Sequence, residues 1–337
     1  REEADYIPKG ANWLKDAVAT FQPEANTVTT RAGKTIDYDY LIVSPGIQLN
    51  WNQIEGLPET LGKNGVCSVY SYLYAPYTFE CLKNLQEGTA IFTAASGAVK
   101  CGGAPQKIMY LAGDYLRRAG RTAKVKLEFC SGGTVIFGIE KYAKTLRKVV
   151  ERYRIATHFK HDLIRVNGLA HEATFKVTAP DGSTSEVTKH FDMLHVTPPQ
   201  SAPDFVRNSP LANEKGWVDV DKLTLRHNKY PNVFSLGDAS GMPNSKTGAA
   251  VRKQAPVLVE NLFAVMADKT PTAQYSGYSS CPIITGYGKL MLAEFDYDNK
   301  PMETFPFDQS KERWTMWVLK RYILPWLYWN KILKGAM

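Results

Sequence analysis

The chain has 337 residues, which is enough for two domains with hydrophobic cores of their own. Its residues are 44% hydrophobic and 22% charged, a composition typical of globular proteins that excludes a disordered or fibrous chain. The 41 Lys and Arg outnumber the 33 Asp and Glu, and the net charge of +8 favours anionic partners such as nucleic acid, an acidic membrane face or a small anion. Five cysteines are too few for a disulfide scaffold in a chain of this size, and no spacing of Cys and His fits a zinc site.

The first part of the chain predicts a run of short strands between residues 8 and 46. It ends in the apolar, largely β-branched segment Leu41-Ile42-Val43 shortly before Gly46, a pattern typical of a buried parallel strand.

Residues 88–200 predict a βαβ unit with an appended hairpin. The elements, in chain order, are a strand (89–94), a loop that holds Cys101, a helix (106–118), a strand (124–130), a basic amphipathic helix (142–153), a hairpin (172–178 and 185–191) and a strand (193–196). Because strands alternate with helices, the fold class is α/β. Further on, a strand ending at Gly237-Asp238 precedes a helix at 247–266, and residues 271–337 predict a largely irregular stretch.

Two cysteines, Cys101 and Cys281, lie in segments that we predict to be loops and that suit reactive sulfur. Cys101 follows an apolar strand, precedes a helix and has Lys100 and Lys107 nearby in sequence. Since a thiolate is the nucleophilic form of cysteine, and since lysines and helix N-termini lower a thiol pKa, this placement favours chemistry over packing.

The remaining cysteines and one histidine are better explained by packing. Cys67 precedes an aromatic stretch, Cys81 lies on a predicted helix and Cys130 ends a strand, and a buried cysteine usually behaves as a small hydrophobic residue. His195, between Leu194 and Val196, is expected to be a hydrogen-bonded core histidine and not a catalytic base.

A strand that ends in Gly237-Asp238 before a helix is similar to a segment of flavoproteins with two dinucleotide-binding domains. There the aspartate holds the ribityl chain of FAD, and the glycine lets the backbone approach the cofactor. The alternative is an ordinary strand–turn–helix, but the apolar strand ending near Gly46 on the other side of an α/β unit favours the flavoprotein interpretation.

The dinucleotide fingerprint G-x-G-x-x-G does not occur in the sequence. The loop after the strand at 89–94 holds Cys101-Gly102-Gly103 where a nicotinamide enzyme has that fingerprint, and the next strand ends in Cys130-Ser131 where an NAD site has a carboxylate. We therefore expect that this unit does not bind NAD(P).

The C-terminal tail combines basic residues with aromatic ones. Residues 311–337 hold six Lys and Arg against one Glu, and four of the seven tryptophans, Trp314, Trp317, Trp326 and Trp329. This composition suits the interface between a membrane and water. The alternative is a terminal helix that docks on the core or on a second copy in a homodimer. Nucleic acid is not an expected partner, because the charge is not organised on a recognisable binding module.

With these segments in hand, the chain resembles the sulfide:quinone oxidoreductases over essentially its whole length. The segments that carry the resemblance are Val99-Lys100-Cys101-Gly102-Gly103-Ala104-Pro105-Gln106-Lys107, Leu194-His195-Val196-Thr197-Pro198-Pro199, Gly216-Trp217-Val218-Asp219-Val220-Asp221, Cys281-Pro282 and Phe305-Pro306-Phe307-Asp308-Gln309-Ser310-Lys311. The resemblance implies two Rossmann-like domains, the first incomplete, and a basic, aromatic segment that associates with a membrane. The implied division is 1–86 (remainder of the FAD-binding domain and linker), 87–200 (second Rossmann-like domain), 201–270 (return to the FAD-binding domain) and 271–337 (C-terminal region).

The resemblance also implies a mechanism. Cys101 and Cys281 would form a redox-active disulfide, bonded directly or through an extra sulfur, beside the flavin. Hydrosulfide would attack at Cys281, leave a persulfide there and release the Cys101 thiolate, which engages the flavin. Glutathione, sulfite or cyanide would remove the persulfide sulfur, and FAD would pass the electrons to ubiquinone.

Further expectations from the same resemblance concern the cofactor site, the location and the start of the chain. Gly46, Gly237, Asp238 and Lys246 would contact FAD, with Phe307 and Lys311 near the flavin and quinone. The expected location is the matrix face of the mitochondrial inner membrane, or a bacterial cytoplasmic membrane, with peripheral attachment. Because family members begin with a strand and a G-x-G-x-x-G loop for FAD, and this chain begins Arg1-Glu2-Glu3 without a signal peptide, we expect a fragment in which FAD binding is impaired.

Two other functions stay open from the sequence. One is a type II NADH:quinone dehydrogenase, which the missing fingerprint and the cysteine in its place disfavour. The other is a non-catalytic relative that keeps the fold and the membrane surface but has lost the flavin.

Overall fold

The computed structural model describes residues 1–336 and has the mixed α/β content expected from the sequence. The α-helices are α1 (Leu57–Thr60), α2 (Ala75–Asn84), α3 (Ala104–Arg118), α4 (Glu140–Arg152), α5 (Asp204–Arg207), α6 (Gly248–Met266), α7 (Trp314–Val318) and α8 (Leu324–Asn330). The strands are β1 (Val18–Gln22), β2 (Thr27–Thr30), β3 (Thr35–Asp37), β4 (Leu41–Val43), β5 (Gln48–Leu49), β6 (Val66–Cys67), β7 (Gly88–Ala94), β8 (Val125–Ser131), β9 (Ile155–Phe159), β10 (His161–Asn167), β11 (Glu172–Thr178), β12 (Thr184–His190), β13 (Met193–His195), β14 (Gln200–Ser201), β15 (Val233–Ser235), β16 (Ser279–Gly286) and β17 (Lys289–Phe295). Short 3-10 turns occur at Glu3–Tyr6, Trp51–Gln53 and Ile332–Lys334, and a π-helical turn at Leu319–Ile323.

A five-stranded parallel sheet forms the centre of the predicted βαβ unit, with strand order β6-β13-β7-β8-β9. Strand β7 is apolar through its middle, and Ala90, Ile91 and Phe92 are fully buried, as expected for a strand covered on both faces. Helices α3 and α4 supply much of the core on one face. The predicted order of strand, Cys101 loop, helix, strand and helix is confirmed, with element ends shifted by one or two residues.

The predicted hairpin is present as β11 and β12, but it belongs to an antiparallel sheet of three strands. Strand β10 pairs with β11 and was not predicted from the sequence. Its inward residues Leu163 and Val166 pack with Phe175 in a core cluster beside the parallel sheet. This small sheet closes one side of the βαβ unit.

Strand β4 pairs with β15 in parallel register, which brings Leu41-Ile42-Val43 beside the strand before Gly237. The prediction of a buried strand is wrong for Ile42, which is 44% exposed. Within residues 1–336, β4 pairs with β15 on one edge, and its other edge has no partner strand. The face of β4 that carries Ile42 is exposed. The parallel pairing is nevertheless confirmed, and it sets Gly46 and Gly237 at the same end of the pair.

The C-terminal region is more regular than the sequence predicted. Residues 279–295 form a long hairpin, β16 and β17, and three consecutive helical segments follow from Trp314. The prediction of an irregular stretch is wrong because β16 is covered on both faces, so its residues do not alternate between apolar and polar. The hairpin packs against α3, and Ile283, Met291 and Ala293 join the core of the βαβ unit.

Polar contacts from the central helices hold this hairpin in place. The hydroxyl of Tyr153, directly after α4, donates to the carbonyl of Thr285 at 2.8 Å, and the hydroxyl of Tyr142 donates to the carbonyl of Glu294 at 3.0 Å. The carboxylate of Asp114 in α3 accepts from the backbone N–H of Tyr287 at 3.0 Å. Because these groups are buried, each unmade hydrogen bond would be costly, so the contacts fix the position of the hairpin.

The helices after Trp314 expose large aromatic side chains. Trp314 is 66% exposed, Tyr322 60% and Trp326 55%. None of the helices within residues 1–336 is both long enough and apolar enough to cross a bilayer.

Replacing Tyr153 with phenylalanine should destabilise the protein by about 1–3 kcal/mol, because the carbonyl of Thr285 would lose its buried donor. Chemical denaturation measures this change in the free energy of unfolding. The matched control is Tyr72→Phe, at a residue that is 94% exposed, which should unfold like the parent. Equal stability of the two variants would contradict the anchoring role of Tyr153.

Candidate active site

Cys101 lies in the turn between β7 and α3, as the sequence predicted. Its φ of +53° lies in the left-handed region, which a non-glycine residue adopts only when its surroundings enforce it. The backbone N–H of Cys101 donates to the carbonyl of Lys246 at 2.8 Å, and its carbonyl accepts from the N–H of Ala104 at 2.6 Å. These bonds hold the sulfur at the N-terminal end of α3.

Cys281 is not in a loop, which corrects the sequence-based prediction. It lies on β16 and is only 4% exposed. The adjacent Pro282 suggested a loop, but a proline is tolerated here because β16 belongs to a sheet of two strands, in which each strand has a free edge.

The structure brings the two cysteines together in one core cluster, with Cys281 inside the cluster and Cys101 packed against it. All five cysteines are present as free thiols. Gly103 lies so close that a Cβ atom at this position would be 2.5 Å from the Cys281 sulfur, so a residue without a side chain is required for the approach. The ammonium group of Lys107, one turn into α3, donates to the Cys101 sulfur at 3.0 Å.

The two thiols have opposite tendencies to ionise. The hydrogen bond from Cys281, supported by the positive charges of Lys107 and Lys320, holds the pKa of Cys101 well below its ordinary value, although burial acts in the other direction. The same hydrogen bond and complete burial raise the pKa of Cys281 well above its ordinary value. Burial alone would lower the pKa of Lys107, but the negative charge on the cysteine pair raises it. Of the two thiols, Cys101 is therefore the one that ionises more readily, and the Lys107 ammonium is in contact with it.

Two further residues at this site were not predicted from the sequence. Lys320, in the turn between α7 and α8, lies near Lys107 and the thiols, and burial followed by repulsion from Lys107 lowers its pKa. Tyr70 is almost fully buried beside both cysteines, and its hydroxyl donates to the carbonyl of Lys100 at 3.3 Å. Nothing in the local sequence distinguishes Lys320 from the other basic residues of the tail, since its position depends on how the last helices fold back.

The residues predicted for the cofactor converge on the same side of Cys101. The Lys246 ammonium is buried, donates to the carbonyl of Ser240 at 2.9 Å and lies 4.2 Å above the ring of Trp217. Burial lowers the pKa of Lys246 to about 8, although Asp238 opposes the shift. Burial raises the pKa of Asp238, although Lys246 and Lys100 are close. The half-buried carboxylate of Asp238 and the buried ammonium of Lys246 thus lie near the turn that holds Cys101.

The glycines at the ends of β4 and β15 leave room for a ligand. Gly46 has a φ of +81° and no atom within 4 Å of a hypothetical Cβ, and Gly237 has a φ of +77°. Nearby, the amide nitrogen of Gln200 is buried and has no hydrogen-bond partner within residues 1–336, while the side-chain oxygen of Gln200 accepts from the backbone N–H of Lys100 at 2.9 Å. Open glycine backbone, an orphaned amide donor and Asp238 fit the polar chain of a flavin nucleotide.

Phe307 and Lys311 occupy other positions in the C-terminal region. Phe307 stacks on Phe305 with ring centroids 5.3 Å apart, and the guanidinium of Arg313 lies 4.3 Å from its ring. Lys311 is exposed and lies near Asp308. The tail lysine whose charge acts on Cys101 is Lys320.

The turn after β7 is arranged in a way that does not suit a pyrophosphate. The Asp162 carboxylate accepts from the backbone N–H of Ser96 at 2.8 Å, and a Cβ on Gly132 would be 2.1 Å from the same carboxylate. In a Rossmann unit the amides of this turn bind the phosphates of the dinucleotide. Here one of these amides, the N–H of Ser96, is occupied by an anionic side chain, which adds a physical reason to the expectation that this unit does not bind NAD(P).

Cys130 and His195, which the sequence assigned to packing, are both fully buried. Burial raises the pKa of Cys130 to about 12 and lowers the pKa of His195 to about 3, so both are neutral. The Nε2 atom of His195 accepts from the backbone N–H of Val69 at 3.1 Å. Its Nδ1 atom has no partner among the described residues, so the expectation of a fully hydrogen-bonded histidine is only half correct. Residues 1–336 contain no cluster of side chains that could hold a metal ion.

Replacing Lys107 with methionine should raise the pKa of Cys101, because the thiolate loses the ammonium group in contact with it. The rate at which iodoacetamide alkylates Cys101 in the reduced protein, followed against pH, reports this pKa. Since the thiolate exists above the pKa, the curve of the variant should move to higher pH. Lys100→Met, which removes the lysine adjacent in sequence, should leave the curve in place, and equal shifts in both variants would contradict the specific role of Lys107.

The chain was compared with protein-family models, with known proteins and with solved structures. No protein-family model matches the chain. The chain is 49% identical over 337 residues to the mitochondrial sulfide:quinone oxidoreductase of Dictyostelium discoideum, a match that covers 99% of this chain and 74% of that protein. It is 45% identical over 335 residues to the mitochondrial sulfide:quinone oxidoreductase of Mus musculus, again with 99% and 74% covered.

The X-ray structure of the sulfide:quinone oxidoreductase from Aquifex aeolicus has the same fold, with a TM-score of 0.77 at 18% identity, and the match covers 96% of this chain and 75% of that chain. The likeness to that structure concerns the fold, whereas the identity to the two mitochondrial proteins extends along almost the whole chain. The chain therefore belongs to the sulfide:quinone oxidoreductase family.

Proposed function

We propose that this protein oxidises sulfide and passes the electrons to a quinone, with Cys101 and Cys281 as the reacting pair. The observation that carries the proposal is the placement of both sulfurs at the start of α3, where Gly103 leaves space for the Cys281 sulfur and the Lys107 ammonium donates to the Cys101 sulfur. Two cysteines far apart in sequence are brought together by the packing of β16 on α3. Membership of the family supports the same conclusion.

The first chemical step is attack of hydrosulfide on the disulfide form of this pair. Hydrosulfide forms a bond to the Cys281 sulfur, the bond between the two cysteines breaks, and its electron pair leaves on Cys101. The products are a persulfide on Cys281 and a thiolate on Cys101, so charge and atoms balance. Cys101 is the better leaving group because its thiolate is stabilised by the hydrogen bond to Lys107, and a thiol of lower pKa leaves faster.

The second step removes the outer sulfur from Cys281. A small nucleophile attacks that sulfur, the bond within the persulfide breaks, and Cys281 leaves as a thiolate that takes up a proton. Glutathione, sulfite and cyanide are the acceptors we propose. The raised pKa of Cys281 favours its return to the thiol.

FAD is the cofactor we propose, and the residues beside Cys101 would hold it. Gly46 and Gly237 would allow its backbone contacts, and Asp238 and Lys246 would bind its polar groups. Bound there, the flavin would supply a two-electron acceptor between the cysteine pair and the quinone.

The positive charge around the thiols stabilises the leaving thiolate and also attracts the anionic substrate. Lys107 and Lys320 are both half-buried near the pair, and their charges attract the hydrosulfide anion into the site. Because the pKa of Lys320 is already lowered, this residue can also lose its proton more readily than an ordinary lysine.

The C-terminal helices are the proposed contact with the membrane and the quinone. Their exposed aromatic residues include Trp314, Tyr322 and Trp326, and Lys and Arg side chains lie between them. This mixture is typical of segments that lie at a membrane interface. We propose peripheral attachment to the mitochondrial inner membrane on the matrix side, with Phe307 and Lys311 near the quinone path.

Replacing Cys101 or Cys281 with serine should slow sulfide-dependent bleaching of the flavin absorbance at least about a thousandfold, because a serine cannot form the reacting disulfide. The measurement is an anaerobic titration of the flavin-loaded protein with sulfide. Cys81→Ser is the matched control, since Cys81 lies on α2 outside this site, and its bleaching should equal that of the parent.

Two outcomes of this titration would contradict the proposal. Bleaching by NADH without a response to sulfide would favour a type II NADH dehydrogenase. Bleaching by sulfide that survives both cysteine substitutions would remove the pair from the reaction.

Replacing Trp314 and Trp326 together with alanine should reduce binding to vesicles that contain anionic lipid by at least about tenfold, because two interfacial aromatic anchors are lost. Cosedimentation with the vesicles measures the change. Tyr72→Ala, at an exposed aromatic residue in another part of the chain, is the control and should bind like the parent. Unchanged binding of the double variant would place the membrane contact elsewhere.

A further inference from the structure

The peptide unit that joins Lys100 to Cys101 is held at both of its ends. Its carbonyl oxygen, on Lys100, accepts from the hydroxyl of Tyr70 at 3.3 Å, and its N–H, on Cys101, donates to the carbonyl of Lys246 at 2.8 Å. Because a peptide unit is planar, two bonds at opposite ends fix the orientation of the whole plane. The next peptide unit is also held, since the carbonyl of Cys101 accepts from the N–H of Ala104 at 2.6 Å. Both peptide planes that flank the α-carbon of Cys101 are therefore fixed.

These bonds account for the backbone conformation of Cys101. Its φ of +53° lies in the left-handed region, where a residue with a side chain remains only if the surrounding structure enforces it. The angle φ describes the rotation between the Lys100–Cys101 peptide and the α-carbon that carries the sulfur. Without the bond on the Lys100 carbonyl, this peptide is less restrained and can turn toward the more favourable negative φ, which changes the direction of the sulfur within the turn. The contact of the sulfur with the Lys107 ammonium, at 3.0 Å, therefore depends on the orientation of this peptide.

Tyr70 supplies the one side-chain contact among these bonds, because the partners on Lys246 and Ala104 are backbone groups. Tyr70 is 9% exposed, and burial raises the pKa of its hydroxyl, so the group keeps its proton and acts as the donor to the Lys100 carbonyl. Replacing this residue with phenylalanine removes the bond and keeps the buried ring.

The segment that carries Tyr70 is fixed to the parallel sheet. Directly after strand β6, the N–H of Val69 donates to Nε2 of His195 at 3.1 Å. The hydroxyl of Ser68 donates to the carbonyl of Val196 at 2.7 Å, and the same oxygen accepts from the N–H of Tyr70 at 3.2 Å. Ser68 and His195 are fully buried. Tyr70 is thus tied to the end of strand β13, and a side chain on such a rigid support can hold its partner in one place.

We propose that Tyr70 is a positioning residue for Cys101. Its hydroxyl orients the peptide between Lys100 and Cys101 and so keeps the Cys101 sulfur against the ammonium group of Lys107. Tyr70 exchanges no proton and forms no bond with a substrate in this role. Its importance for sulfide oxidation rests on the proposed function, in which Lys107 stabilises the departing Cys101 thiolate, whereas the positioning itself does not.

The test compares Tyr70→Phe with the parent through the rate at which iodoacetamide alkylates Cys101 at different pH values. The full-length flavin-loaded protein is reduced, freed of the reductant without oxygen and alkylated, and the product is followed on the tryptic peptide of residues 101–107. Since the thiolate is the form that reacts and it exists above the pKa, a thiol that loses contact with Lys107 is alkylated at higher pH. The expected result is a shift of the curve to higher pH, and an unchanged curve contradicts the proposal.

A double variant shows whether Tyr70 acts through Lys107. Lys107→Met alone should shift the curve to higher pH, and the peptide followed then ends at Arg117. If the tyrosine holds the sulfur at the ammonium group, adding Tyr70→Phe to Lys107→Met should cause no further shift, because the two effects share one contact. Equal shifts by Tyr70→Phe in the presence and in the absence of the lysine would mean a merely structural role and overturn the proposal.

Tyr77→Phe is the matched control. The oxygen of Tyr77 also contacts the backbone, since it accepts from the N–H of Gly65 at 3.1 Å, but it lies outside the turn that holds Cys101. This variant should give the curve of the parent. A shift equal to that of Tyr70→Phe would show that the loss of any tyrosine–backbone contact is sufficient, which contradicts the proposal.

The same measurement separates this proposal from the proposed function. The alkylation curve involves neither sulfide nor quinone, so a shift in Tyr70→Phe supports the positioning role even if Cys101→Ser leaves the sulfide-dependent bleaching unchanged. In the opposite case, bleaching that requires Cys101 together with an unshifted curve in Tyr70→Phe contradicts the positioning role alone.

Discussion

The packing of the C-terminal hairpin on helix α3 is the contact on which the site depends. Strand β16 brings Cys281 to the first turn of that helix, and Gly103 leaves the space that its sulfur needs. Tyr153 and Asp114 anchor the hairpin by hydrogen bonds to its backbone. Because interiors are close-packed, a displacement of the hairpin cannot be absorbed locally, so the strand fixes Cys281 while backbone hydrogen bonds fix the turn that holds Cys101.

This placement also determines which sulfur carries the charge. Cys101 is at a helix N-terminus and touches the Lys107 ammonium, whereas Cys281 is enclosed by the strand and the helix. A buried ammonium group needs a partner of opposite charge, and the thiolate supplies it. The cation and the thiolate therefore stabilise each other, and removing either would leave the other unpaired in a site of low dielectric constant.

The sequence was informative where local pattern decides structure. The βαβ unit, the turn that holds Cys101 and the parallel strand before Gly237 all follow from short-range periodicity and turn residues. The position of Cys281 in a strand was not predictable in this way, because β16 is buried on both faces and contains Pro282. Lys320 could not be identified because its approach to Cys101 depends on tertiary packing of the last helices.

The parallel sheet keeps the topology of a dinucleotide-binding unit while its first turn holds a thiol. In such a unit the amides after the first strand bind phosphate, because they point out of the sheet at a helix N-terminus. Here the Asp162 carboxylate occupies the N–H of Ser96, and the residues that follow carry Cys101 into the same helix N-terminus. The electrostatic property that would stabilise a phosphate anion stabilises a thiolate equally well. The same fold can thus carry a thiol at the turn where other members of the fold bind phosphate.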